Sequence, residues 1–77
     1  LKSIRGKLAE YILQESQKQG MNQTIILSMS KQKLADKFAI ARQALSRSLS
    51  ELEEEGLIRV EGRKILILDK KKLAEID

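Results

Sequence analysis

The residues best suited to chemistry in this sequence are Arg, Gln and Ser side chains spaced along one predicted helix. At about 100° per residue, one side of that helix carries the polar residues Arg42, Gln43, Ser46, Arg47 and Ser50. The opposite side carries the apolar residues Leu45, Leu49 and Leu52. Arg binds guanine in a bidentate way, Gln binds adenine, and Ser binds either. We therefore expect Arg42, Gln43, Ser46 and Arg47 to contact base edges from a helix over residues 42–55, with its N-terminal half in the major groove.

The composition excludes most other chemistry. The chain has 77 residues, enough for a single domain over residues 1–77, and it contains no Cys and no His. Disulfides, thiolate nucleophiles, imidazole catalysis and Cys/His metal sites are therefore ruled out for this stretch. An enzyme is disfavoured, because no carboxylates cluster outside the Glu51–Glu55 run. We predict no catalytic residues, no metal and no cofactor here. No apolar run approaches the length that spans a membrane.

The positive charge is concentrated in the middle of the chain. The net charge of +4 combines +2 for residues 1–19, +4 for residues 20–50, −4 for residues 51–56 and +2 for residues 57–77. A segregated basic block indicates an anionic partner more strongly than mixed signs would, although a solvated basic surface stays open as the alternative. The glutamates of residues 51–56 have two interpretations. They lie outside the phosphate contacts and limit non-specific binding, or they are a solvated helix end.

The surrounding elements must hold this helix in place. Apolar spacing predicts a first helix over residues 2–19 that ends at Gly20, and β-branched residues predict a short strand over residues 24–27. Ser30 is a candidate N-cap for a helix over residues 31–38. A turn of about three residues then leads to the helix that begins near Arg42 and ends at Gly56, which makes a helix-turn-helix.

The C-terminal part predicts a β-hairpin and a last short helix. Two β-rich runs over residues 57–61 and 64–68 flank Gly62-Arg63, the order of a type II′ turn. Asp69 can cap a final helix that places Leu73 and Ile76 inward. The fold class is therefore mainly α with a small β-hairpin wing: a winged helix-turn-helix with a three-helix core plus the wing.

Two further groups of residues suit phosphate contacts. Ser30, Lys31 and Gln32 lie at a predicted helix N-terminus, where free N–H groups and a cation favour an anion. Arg63 and Lys64 lie at the hairpin tip, where the wing can contact the flanking backbone; plain solubility is the alternative there. The basic run Lys70-Lys71-Lys72 is expected to be solvated.

The stretch from Ser30 to Leu68 resembles the C-terminal DNA-binding domain of the Crp/Fnr family of bacterial transcription regulators. The motifs that carry the resemblance are Leu34-Ala35-Asp36, Ser46-Arg47, the Leu49–Ile58 stretch (LSELEEEGLI) and Gly62-Arg63. With the leading helix, the resemblance covers nearly the whole chain. It implies base reading by Arg42, Gln43 and Arg47, and phosphate contacts from Ser30, Lys31 and Gln32.

The resemblance also implies features beyond this chain. The chain begins at Leu1, inside a helical pattern, and we interpret it as a fragment of a longer protein with an N-terminal sensor domain. That domain would bind a small-molecule effector, a cyclic nucleotide or another. The resemblance further implies a homodimer bound to two-fold-related half-sites of double-stranded DNA, RNA polymerase as a partner, and a cytoplasmic, nucleoid-associated location.

The chain departs from the family pattern at three positions. Ala39 stands where the turn usually has Gly, and Ala41 stands where Ser or Thr usually caps the following helix. Ala41 cannot act as a side-chain cap, which costs about 1 kcal/mol. Gln43 stands where many members have Glu, so the family's usual half-site is not carried over at that base pair. A winged helix used for protein–protein contact is the alternative function, but the polar face of the 42–55 helix lacks aromatic anchors and acidic residues in its first two turns.

Overall fold

The computed structural model describes residues 3–20 and 22–76. Seven elements follow one another along the chain: α1 (Ile4–Lys18), β1 (Thr24–Ile26), α2 (Lys31–Lys37), α3 (Arg42–Glu54), β2 (Ile58–Glu61), β3 (Lys64–Ile67) and α4 (Lys70–Ala74). The predicted order of elements is confirmed, and the fold is a winged helix-turn-helix. Most element ends lie within one residue of their predicted positions.

Capping residues explain where the helices begin. The Ser3 side chain accepts a hydrogen bond from the Gly6 N–H, so α1 starts at Ile4 rather than at residue 2, and Lys2 lies outside the described residues. Ser30 Oγ accepts from the Lys33 N–H and begins α2. Asp69 Oδ1 accepts from the Lys72 N–H and begins α4. Each cap satisfies a backbone donor that the first helical turn leaves free.

The wing is part of a three-stranded antiparallel sheet in the order β1-β3-β2. The sequence predicted β1 and the hairpin separately, and the structure pairs Ile25 of β1 with Ile65 of β3. Strand residues alternate between faces, so Ile25, Ile65 and Ile67 are buried while Ile26 and Lys64 are exposed on the other face. The pairing ties the base of the wing to the segment that follows α1.

The core is built from Leu, Ile and Ala, with Tyr11 as its one buried aromatic residue in the described part of the chain. α1 packs against α3 and α4, while α2 packs against α3. All the helices and strands contribute fully buried apolar side chains, which are Leu8, Ile12, Ile25, Leu34, Leu45, Leu52, Ile58, Ile65 and Leu73, together with Leu27 just after β1. Leu73 is buried and Ile76 packs against the core, as predicted for the last helix. α3 is thus held from beneath by α1, with α2 and β2 beside it.

Tyr11 fixes the end of α2 against α1. Its ring meets Phe38 edge to face with 5.9 Å between the centroids, and Lys37 Nζ lies 5.2 Å from the Tyr11 ring centroid. The hydroxyl is buried and forms no hydrogen bond within the described part of the chain. Burial raises the pKa of the Tyr11 hydroxyl, and the charge of Glu15 adds to the rise.

The turn between α2 and α3 is a Schellman motif with Ala39 in the left-handed region. Ala39 has φ 56°, the Ile40 N–H donates to Ala35 O at 3.0 Å, and the Ala39 N–H donates to Asp36 O at 3.0 Å. The turn therefore forms without the Gly expected from the family pattern. Ala41 has N-cap backbone angles but no side-chain cap hydrogen bond, as predicted.

Candidate nucleic-acid interface

α3 presents the polar face that its spacing predicts. Leu45, Leu49 and Leu52 are buried against the rest of the domain. All five polar residues of the opposite side are exposed: Arg42, Gln43, Ser46, Arg47 and Ser50. Ser48 is also buried, and this small residue lies on α3 beside the leucine stripe. The four predicted base-contacting residues therefore share one accessible face of one helix.

The two arginines on this face are not neutralised. The ion pairs among the described residues are Arg5–Glu55, Lys18–Glu15 and Arg59–Glu61, and none of them involves Arg42 or Arg47. A guanidinium without a carboxylate partner keeps its full donor set for an incoming acceptor. The face is therefore both geometrically and electrostatically available to an anionic ligand.

The predicted phosphate-contacting residues of α2 lie together at its first turn. Ser30 and Lys31 are half-buried and Gln32 is exposed. Ser30 Oγ accepts the capping hydrogen bond, so its hydroxyl hydrogen is still able to donate. Gln32 Nε2 already donates to Asp36 Oδ1 at 3.1 Å. This hydrogen bond would have to break before the nitrogen could donate to a phosphate. Ser30 and Lys31 are thus the better placed of the three.

The predicted wing residues lie at the tip of the β2–β3 hairpin. Glu61 pairs with Lys64, so Gly62 and Arg63 form a two-residue turn. Gly62 has φ 61° and Arg63 has a negative φ, as a type II′ turn requires. Both cationic side chains at the tip, Arg63 and Lys64, are exposed, and the Arg63 carbonyl accepts from the Leu27 N–H at 2.8 Å. The residue that follows β1 therefore supports the tip from one side.

Two glutamates at the end of α3 have partners that the sequence did not indicate. Glu55 Oε1 accepts from Arg5 Nη2 at 2.6 Å, across 50 residues of sequence. Glu53 Oε2 accepts from the Val60 backbone N–H at 2.9 Å, which joins α3 to β2. Neither interpretation of the glutamate run, as a barrier to non-specific binding or as a solvated helix end, included these contacts. A local periodicity cannot reveal partners that only the tertiary fold brings close.

Two features are absent from the described part of the chain. Residues 3–20 and 22–76 contain no group of acidic side chains placed to hold a metal ion. None of the helices in these ranges is long and apolar enough to cross a membrane.

Several solved structures share this fold. FixK2 from Bradyrhizobium japonicum is 23% identical over 99% of this chain, with a TM-score of 0.88. The CO-dependent transcription factor CooA from Carboxydothermus hydrogenoformans is 26% identical over 92% of it, with a TM-score of 0.80. A putative regulator of the Crp/Fnr family from Eubacterium rectale is 28% identical over 96% of it, with a TM-score of 0.81. The chain spans 39%, 35% and 33% of these proteins respectively.

No curated protein matches the sequence. The model of the Crp-like helix-turn-helix domain, however, matches residues 6–76, which include most of α1, the helix-turn-helix, the wing and α4. The match and the solved structures agree with the resemblance drawn from the Ser30–Leu68 motifs. The chain therefore belongs to the Crp-like helix-turn-helix family.

Proposed function

We propose that the chain reads a specific double-stranded DNA sequence by inserting the N-terminal half of α3 into the major groove. The observation that carries the proposal is the exposed face of α3, where Arg42 and Arg47 have no carboxylate partner among the described residues. In this proposal Arg42, Gln43, Ser46 and Arg47 contact bases. Arg and Gln offer the bidentate geometries that discriminate guanine and adenine in that groove.

The flanking elements supply backbone contacts. We assign phosphate contacts to Ser30, Lys31 and Gln32 at the start of α2, and to Arg63 and Lys64 at the wing tip. Phosphate contacts fix the register of a protein on the duplex without reading sequence. Because α2 and β2 both pack against α3, contacts at either side would hold the recognition helix at a fixed depth.

The regulator as a whole is proposed to respond to a small-molecule effector and to bind two-fold-related half-sites as a dimer. This chain corresponds to about a third of each matched regulator, and CooA is described as CO-dependent. The proposal also includes a sensor domain that precedes residue 1, an effector of unassigned identity and a contact with RNA polymerase.

The test begins with selection of tight-binding duplexes from a random-sequence pool by the 77-residue chain. Arg47→Ala should then weaken binding to the selected duplex by about 1–3 kcal/mol and relax the preference at one base pair. Arg59→Ala is the matched control, because Arg59 is also exposed but is paired with Glu61 on the sheet. Competition gel shifts with single-base-pair variants measure both effects. An Arg47→Ala chain that keeps the wild-type preference at every position would contradict the proposed role of α3.

A further inference from the structure

Glu53 connects the recognition helix to the wing. Its carboxylate lies in the last turn of α3 and accepts from the Val60 N–H at 2.9 Å, and Val60 lies in β2 two residues before the turn that carries Arg63. Glu54 is next to it in sequence, is also exposed, and forms no ion pair or hydrogen bond with a side chain of the described residues. The same charge at adjacent positions therefore has two different environments.

The Val60 N–H lies on the outer edge of the sheet and is not bonded to another strand. The Leu68 N–H donates to Leu57 O, and hydrogen-bonded pairs alternate along antiparallel strands. Ile58 and Val60 therefore occupy non-hydrogen-bonded pairs with Ile67 and Ile65, and the Val60 N–H points away from β3. β2 is an edge strand, so no other strand satisfies this donor. Glu53 fills the position that a neighbouring strand would take.

We propose that Glu53 is a positioning residue for the wing: its carboxylate holds β2 against α3 and thereby sets where Arg63 and Lys64 lie relative to the base-reading face. The inference rests on the proposed function, because the wing tip matters here as a DNA contact. It differs from a purely repulsive role for the glutamate run. Repulsion depends on charge alone, whereas positioning depends on an acceptor at one place.

Three substitutions separate charge from position. Glu53→Ala removes the charge and the acceptor, Glu53→Gln removes the charge but keeps an oxygen that can accept, and Glu54→Ala removes a neighbouring charge without a partner. If the glutamates only repel DNA, all three variants bind the selected duplex more tightly and to a similar degree. If Glu53 positions the wing, Glu53→Ala alone binds more weakly, by about threefold to tenfold.

A double-mutant cycle with Lys64→Ala tests whether the effect passes through the wing tip. We expect Lys64→Ala to weaken binding less in the Glu53→Ala chain than in the wild type, because the tip is already displaced. In the Glu54→Ala chain, Lys64→Ala should have its full effect. Such non-additivity is the measure of coupling between two positions. All affinities are measured by fluorescence anisotropy at a temperature where circular dichroism shows every variant folded.

The outcomes are distinguishable. A wild-type chain that binds no DNA overturns the proposed function, and this inference with it. A wild-type chain that binds DNA, with Glu53→Ala and Glu54→Ala equal in affinity and both additive with Lys64→Ala, overturns the positioning role alone. Three results together establish that role. Glu53→Ala binds the duplex more weakly, Glu53→Gln restores the affinity, and Lys64→Ala weakens binding less in the Glu53→Ala chain than in the wild type.

Discussion

Ala39 and Gly56 end two consecutive helices in the same way. In each motif the residue after the C-cap has a positive φ, 56° for Ala39 and 74° for Gly56. The next residue donates backward in both, from Ile40 to Ala35 O and from Leu57 to Leu52 O, at 3.0 Å each. Gly56 tolerates a positive φ because it has no Cβ, whereas Ala39 does not. Ala39 therefore stores local strain inside the helix-turn-helix.

We predict that Ala39→Gly raises the free energy of unfolding by about 1 kcal/mol, because Gly adopts the left-handed conformation without a Cβ clash. Gly56→Ala is the reciprocal change and should lower the free energy of unfolding by a similar amount, since no atom near Gly56 would obstruct a Cβ and only the backbone conformation is affected. Urea denaturation followed by circular dichroism measures both. Equal stability of Ala39→Gly and the wild type would show that the turn is not strained.

The sequence predicts residue environments well where they depend on one helix and poorly where they depend on two. Periodicity alone indicates that Arg42 and Arg47 are exposed and that Leu45 is buried, and the structure confirms all three. The partners of Glu53 and Glu55 lie on other elements, Glu55 meeting Arg5 at the far end of the chain. Contacts of this kind follow from helix packing, which a single helical wheel does not contain.

At the scale of elements, both edges of the sheet are covered by side chains. Glu53 covers β2 through Val60, and Gln19 covers β1. Gln19 Oε1 accepts from the Ile26 N–H and Gln19 Nε2 donates to Ile26 O, each at 3.0 Å. Its amide thus imitates one residue of an additional strand. Uncovered edges can recruit a strand from another molecule, and Ile26 beside this edge is 53% exposed.

We predict that Gln19→Ala lowers the free energy of unfolding by about 1 kcal/mol and promotes self-association through β1. Gln17→Ala is the control, because Gln17 is exposed in the last turn of α1, two residues before Gln19, and its side chain has no partner among the described residues. Thermal melting and sedimentation velocity over a range of concentrations measure the two effects. A Gln19→Ala chain that sediments and melts like the wild type would contradict the protective role.

The pairing of β1 with β3 shows what local patterns leave open. The Gly62-Arg63 turn specifies the hairpin, since a two-residue turn fixes which residues face each other. Thr24 pairs with Leu66, by contrast, across α2 and α3. Nothing near Thr24 in sequence encodes that partner, because the intervening helices must pack first. The strand itself was predictable from its β-branched residues, but its place in the sheet was not.

At the scale of the whole molecule, the distribution of charge carries more information than the net charge of +4. α2 packs against α3, so its lysines lie beside the proposed base-reading helix, whereas α4 packs against α1. Lys31 and Lys71 carry the same charge in these two settings. Lys31 stands at the first turn of α2 and Lys71 in the exposed basic run of α4.

We predict that Lys31→Ala weakens binding to selected and unselected duplexes alike and reduces the slope of log affinity against log salt by about 0.9, the change for one lost phosphate contact. Lys71→Ala removes an equal charge and should leave the slope unchanged within about 0.2. The difference between the two isolates position from net charge, because both variants carry +3 instead of +4. Anisotropy titrations at several salt concentrations measure the slopes. Equal slopes for the two variants would mean that the duplex responds to the total charge of the domain, and the phosphate contact assigned to the start of α2 would be wrong.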